Sequence, residues 1–106
     1  MDYHFFAHLS TQIPEIPPDS ILSHTVYQDD QIKAILFGFA PGQELSEHTA
    51  SVPAIIQILD GQARLTLGKD EMDAQPGTWV LMPANLAHSI YAITPVKMLL
   101  LMMRVK

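Results

Sequence analysis

Apolar and polar residues alternate along most of this chain in short runs, and the runs stop at glycine, proline, aspartate or asparagine. A strand turns successive side chains to opposite faces, so such alternation predicts half-buried strands and not helices. Nine strands are expected. Ile21 to Tyr27 ends at Gln28-Asp29-Asp30, and the β-branched and aromatic run Ile32 to Ala40 stops at Pro41-Gly42. Glu44 to Ala50 is short and polar. Ala54 to Leu59 is almost continuously apolar and ends at Asp60-Gly61, a hairpin signal. Gln62 to Leu67 turns at Gly68-Lys69-Asp70, and Glu71 to Gln75 ends at Pro76-Gly77. Trp79 to Met82 stops at Pro83-Ala84-Asn85, His88 to Ile93 at Thr94-Pro95, and Met98 to Val105 closes the chain. Short strands at this spacing, with no helix period among them, predict an all-β sandwich or barrel over residues 21–106.

Two stretches break the simple pattern. Residues 1–20 hold three prolines in Ile13-Pro14-Glu15-Ile16-Pro17-Pro18, which exclude helix and strand interior alike. They predict an N-terminal extended arm, preceded by an apolar patch of Phe5, Phe6 and Leu9 that must dock somewhere. The runs Ala54 to Leu59 and Met98 to Met103 are apolar at successive positions, so both faces of each strand need cover. A small barrel covers one face. A second subunit with the Phe5-Phe6 arm laid across it would cover the other, so a homodimer is expected.

Composition narrows the function. The chain has 106 residues, enough for one domain, and is 48% hydrophobic and 16% charged, so it is globular. A net charge of −5 with only six Lys and Arg argues against nucleic acid, whose phosphates need a basic stripe. The absence of cysteine excludes disulfides, thiolate nucleophiles and thiolate metal sites. No run approaches the ~20 apolar residues of a membrane span. The early acid Asp2 does not suit a signal peptide, so a cytoplasmic protein is expected.

The candidate chemistry lies in two spaced sets. Gly42 is followed after five residues by His48, with Gly61 beyond; Gly77 is followed after five residues by Pro83, then Asn85 and His88. These resemble the two motifs of the cupin superfamily, G-x5-H-x-H-x3,4-E-x6-G and G-x5-P-x-G-x2-H-x3-N, over about residues 32–104. The resemblance implies a small single-domain, RmlC-like cupin barrel (a double-stranded β-helix, or jelly roll). In that family two His and a Glu of the first motif and one His of the second bind a divalent metal inside the barrel. Here His48 and His88 match two of these positions, while the other two are Ala50 and Ala54. The Gly of the second motif is Asn85, and its final Asn is Ala92.

The resemblance therefore implies a depleted metal site on His48 and His88, open to zinc, nickel, copper or iron but incomplete, or a metal-free imidazole pair. Gln57, the polar residue of its run, is expected to line the same pocket with Ala50 and Ala54. Glu44 shares strand parity with His48 but lies four residues away, about 13 Å along a strand, too far to share an ion. His24 sits on the Leu22 and Val26 face of its strand, which could turn it inward, but a satisfied or interface histidine is expected there rather than a ligand. Besides a purely structural or partner-binding subunit, two functions are open. One is a binding module, a sensor or carrier whose alanines enlarge a pocket for a small-molecule ligand. The other is an enzyme, an oxygenase or isomerase using a metal or a histidine base.

Overall fold

The structure, a computed structural model, describes residues 2–104. Nine strands are present among them: β1 (Ile21–Gln28), β2 (Ile32–Phe39), β3 (Glu44–His48), β4 (Ala54–Asp60), β5 (Ala63–Leu67), β6 (Asp70–Ala74), β7 (Trp79–Met82), β8 (His88–Ala92) and β9 (Val96–Met103). Each coincides with a predicted strand to within about two residues. The predicted end of the last strand, Val105, lies outside the described residues. The arm adds one short 3-10 turn, Leu9–Gln12, that the prolines did not predict.

The strands form two antiparallel sheets that close on one another. One has the order β1-β2-β9-β4-β7, the other β3-β8-β5-β6. Alternate residues of both fill a single core: Phe39, Ala54, Ile56, Ile58, Met82, Val96 and Met98 from the first, and Ala63, Leu65, Ala74, Ile90 and Ala92 from the second. This is the predicted all-β barrel.

Turn geometry decides where the strands reverse. Asp29 caps the β1–β2 turn, accepting hydrogen bonds from the Tyr27 hydroxyl and from the backbone N–H groups of Gln31 and Ile32. The Tyr27 bond first, then the two backbone donors, hold the Asp29 carboxyl below the ordinary carboxylate range. Gly61 sits at φ +90°, and a Cβ there would overlap the Pro95 carbonyl oxygen. Only glycine permits that crossing.

The arm folds back on its own barrel. Ile13 is buried, and Ile13 and Ile16 lie against Gly38 on the outward face of β2, where an added Cβ would be 3.0 Å from Ile16 Cγ1. The Lys97 ammonium of β9 donates to the Ser10 carbonyl at 2.9 Å, and His4 packs on Tyr27 with ring centroids 4.5 Å apart. Phe5 and Tyr3, by contrast, stay exposed.

Two substitutions test the turns. Gly61→Ala should destabilise the fold by at least about 2 kcal/mol, because backbone strain and backbone overlap combine. Gly42→Ala, at φ +81° with open space around it, should cost only about 1 kcal/mol. Equal costs in chemical denaturation would show that the Pro95 crossing is not a constraint.

Candidate functional site

The site begins with the parity of β8. His88, Ile90 and Ala92 face inward, and His88 is the one buried polar or charged residue among those described, at 7% exposure. On its neighbour β3, Glu44 pairs with Tyr91 and Leu45 with Ile90, but the next aligned pair is His48 with His88. Three steps on β3 match two on β8, so β3 carries a bulge between Leu45 and His48. A bulge inserts one extra residue and reverses the facing of the residues beyond it. His48 consequently joins Leu45 on the inner face, while Glu44 sits with exposed Tyr91 on the outer one. The expectation that Glu44 and His48 point the same way is corrected by that bulge.

The two imidazoles meet with centroids 4.1 Å apart and planes tilted by 59°. Each Nδ1 lies against a backbone carbonyl two residues earlier: His48 on Ser46 at 2.8 Å and His88 on Leu86 at 2.9 Å. A carbonyl oxygen can only accept, so both Nδ1 atoms carry the proton. In the neutral rings both Nε2 atoms then offer a lone pair. His88 is buried and His48 exposed, so the pair spans the boundary between core and solvent.

Loops fix the pair in place. Asn85 holds φ +70° where the resembled motif has glycine, a left-handed conformation that asparagine tolerates better than most residues. Its N–H donates to the Ala50 carbonyl at 2.7 Å, tying the loop after His48 to the loop before His88. The Gly68 N–H donates to the Ala87 carbonyl in the same way, and Leu67 stands beside His88 in register.

The other expected pocket residues separate. Ala50 lies in the adjoining loop. Ala54 faces the core from β4, in register with Met82 on one side and Met102 on the other. Gln57 does not join them. It alternates with buried Ile56 and Ile58, pairs with exposed Trp79 and with Leu99, and so faces outward. Its distance from Ala54 is odd, and a strand without an intervening bulge sends such residues to opposite faces. His24, paired with Leu36, is on that outward face too. Sequence reasoning missed the Ser46 and Leu86 carbonyls that orient the rings; a carbonyl leaves no mark in a sequence. Nothing in the sequence marks Met82 and Met102, the methionines that flank Ala54, as neighbours of that position.

A divalent metal does not fit this donor set. Two neutral nitrogens remain, both other motif positions are alanine, and no group of three or more His, Cys, Asp or Glu suited to a metal occurs among the described residues. A resident site normally takes three or four protein ligands and offsets the ion's charge.

Comparison with known proteins agrees with the architecture. Residues 35–103 match the family described as the cupin domain. A conserved protein of unknown function from Streptococcus pyogenes superposes with a TM-score of 0.86 at 26% identity, covering 100% of this chain and 92% of that one. A cupin superfamily protein from Desulfitobacterium hafniense gives 0.81 at 28% identity, covering 86% and 84%. The DMSP lyase DddQ from Ruegeria pomeroyi, at 20% identity, 0.74, and 80% and 47% coverage, shares the fold. No curated protein matches the chain in sequence.

The tautomer is directly measurable. Nitrogen-15 correlation spectra at alkaline pH should show both His48 and His88 protonated at Nδ1 and bare at Nε2; an Nε2–H signal from either would remove the paired acceptors. Zinc and nickel should bind at micromolar affinity or weaker, worth about 8 kcal/mol at most, and His48→Ala or His88→Ala should abolish that binding. Nanomolar binding in calorimetry would mean that further ligands complete the site.

Proposed function

The chain belongs to the cupin domain family, and on that premise we propose that it is a small-molecule-binding module, a sensor or carrier that reads its ligand through His48 and His88. The observation that carries this reading is the pair of clamped rings. Two imidazoles, each with its Nδ1 turned to a carbonyl and its Nε2 left as an acceptor, stand with centroids 4.1 Å apart, one ring exposed and one buried, against an inner face otherwise built of Leu45, Leu67 and Ile90. Polar groups that are few and fixed, set in an apolar wall, are what a small-molecule site needs for orientation. The ligand that fits is a mostly apolar body carrying one or two hydrogen-bond donors.

One observation favours a second reading. The exposed His48 ring has its Nδ1–H held by a carbonyl and its Nε2 open, the posture of a general base. In that case the bound molecule would lose a proton to His48 and be turned over without a metal.

A thermal-shift screen of small donor-bearing compounds, followed by calorimetry, separates the readings. A ligand found in this way should lose about tenfold in affinity in His88→Ala and in His48→Ala, the worth of one hydrogen bond each, with the circular dichroism unchanged. Unaltered affinity in both variants rejects the proposal. Consumption of the ligand by the wild type but not by His48→Ala selects the enzyme.

A further inference from the structure

Hydrogen bonds between loops close a ring around one end of the barrel. The Arg104 N–H donates to the Gln31 carbonyl at 2.7 Å, and the Met103 N–H to the Pro53 carbonyl at 3.0 Å. With the Asn85–Ala50 and Gly68–Ala87 bonds, they link the β1–β2 turn, the end of β9, the loops after His48 and before His88, and the β5–β6 turn. Two rows of aligned residues lie just inside this ring. On the four-stranded sheet the row is His48, His88, Leu67 and Asp70. On the facing sheet it is Gln28, Lys33, Met102, Ala54 and Met82. Ala54 and Met82 belong to the core and Met102 packs against it, so register places Lys33 on the inner face as well.

The lysine and the aspartate of these rows stand on opposite sides of the mouth. Asp70 ends its row three strand spacings from His48, about 14 Å away. Lys33 lies on β2, the strand that turns through Pro41-Gly42 into β3 and so leads to His48. Its side chain is half-buried, and no hydrogen bond or ion pair engages its ammonium among the described residues. Nearby groups are already occupied. The Arg104 guanidinium donates to the Asp29 carbonyl at 3.3 Å, and the Asp29 carboxylate accepts from Tyr27 and two backbone N–H groups. Lys33 is left with three donors and the desolvation cost of a charge that no anion offsets.

The mouth thereby selects a class of ligand. The Nε2 acceptors of His48 and His88 call for a donor, and the Lys33 ammonium calls for an anion. Asp70 repels an anion at the far side, which fixes the direction in which the molecule lies. One ammonium matches the single charge of a carboxylate, whereas a phosphoryl group needs more donors. Leu67, Met102 and Met82 between these groups suit an apolar body. We infer that Lys33 is the anion anchor of the histidine site, and that the ligand is a small carboxylic acid bearing a hydroxyl group. Its carboxylate meets Lys33 and its hydroxyl donates to Nε2 of His48 or His88.

This rests on the reading of the histidine pair as a binding site, and three matched probes keep the two ideas apart. They are ω-hydroxyhexanoate, its primary amide, and hexanoate, each titrated into the full nitrogen-15-labelled chain at neutral pH, with circular dichroism as the check on folding. The hydroxy acid should bind about tenfold or more tighter than its amide, the worth of one charged hydrogen bond. Lys33→Gln should erase that gap by lowering the acid to the level of the amide. The hydroxy acid should also bind more tightly than hexanoate, and His48→Ala together with His88→Ala should erase that second gap. Equal binding of acid and amide, or a gap between them that survives Lys33→Gln, would overturn the carboxylate anchor and leave the histidine reading standing. Equal binding of hydroxy acid and hexanoate, with the acid–amide gap intact, would overturn the histidine reading and leave Lys33 as an anion anchor. No spectral response to any of the three would overturn the ligand class.

Discussion

A β-strand sends successive side chains to opposite faces, so a strand in a two-sheet barrel can give only every second residue to the core. In this molecule the rule governs packing, site and surface together. β8 follows it and delivers His88, Ile90 and Ala92 inward. β4 follows it as well, burying Ala54, Ile56 and Ile58 and leaving Ile55, Gln57 and Leu59 on the other side. One bulge in β3 interrupts it, and without that extra residue His48 would sit on the outer face, away from His88. The candidate site therefore depends on a local break in the same alternation that builds the core.

The chemistry of the pair depends equally on backbone. An imidazole free to rotate and exchange tautomers offers a donor as readily as an acceptor. Here the Ser46 and Leu86 carbonyls take that choice away from both rings and leave two matched acceptors. The Asn85 hydrogen bond to Ala50 couples the two loops that carry them, so the rings are held as a unit. With alanine at the remaining motif positions, the pair lacks the further ligands that would retain a divalent ion.

Much of the fold was legible because its signals are local. Pro41-Gly42, Asp60-Gly61 and Pro76-Gly77 mark strand ends by chain stiffness and positive φ, and the glycines at 42, 61 and 77 do adopt positive φ. The spacing of Gly42, His48, Gly77 and His88 carried the family resemblance, and the family match over residues 35–103 agrees with it. Gln57 and Glu44 are harder for a shared reason, which is parity. Polarity suggests the pocket for Gln57, yet its strand alternates simply from Ala54 to Ile58 and turns it outward. Simple alternation suggests the inner face for Glu44, yet its strand does not keep it.

The sequence by itself determined an all-β chain of nine short strands, a proline-rich arm, and two histidines at family spacing with alanine where their companions would stand. These rest on period, turn chemistry and residue identity, all of which act over a few neighbours. Tertiary structure alone decided which face each side chain occupies around a bulge, which carbonyl each imidazole meets, and which half of the apolar sheet the arm covers. Those outcomes depend on register between strands far apart in the chain. A single inserted residue reverses them without leaving any sign in local composition.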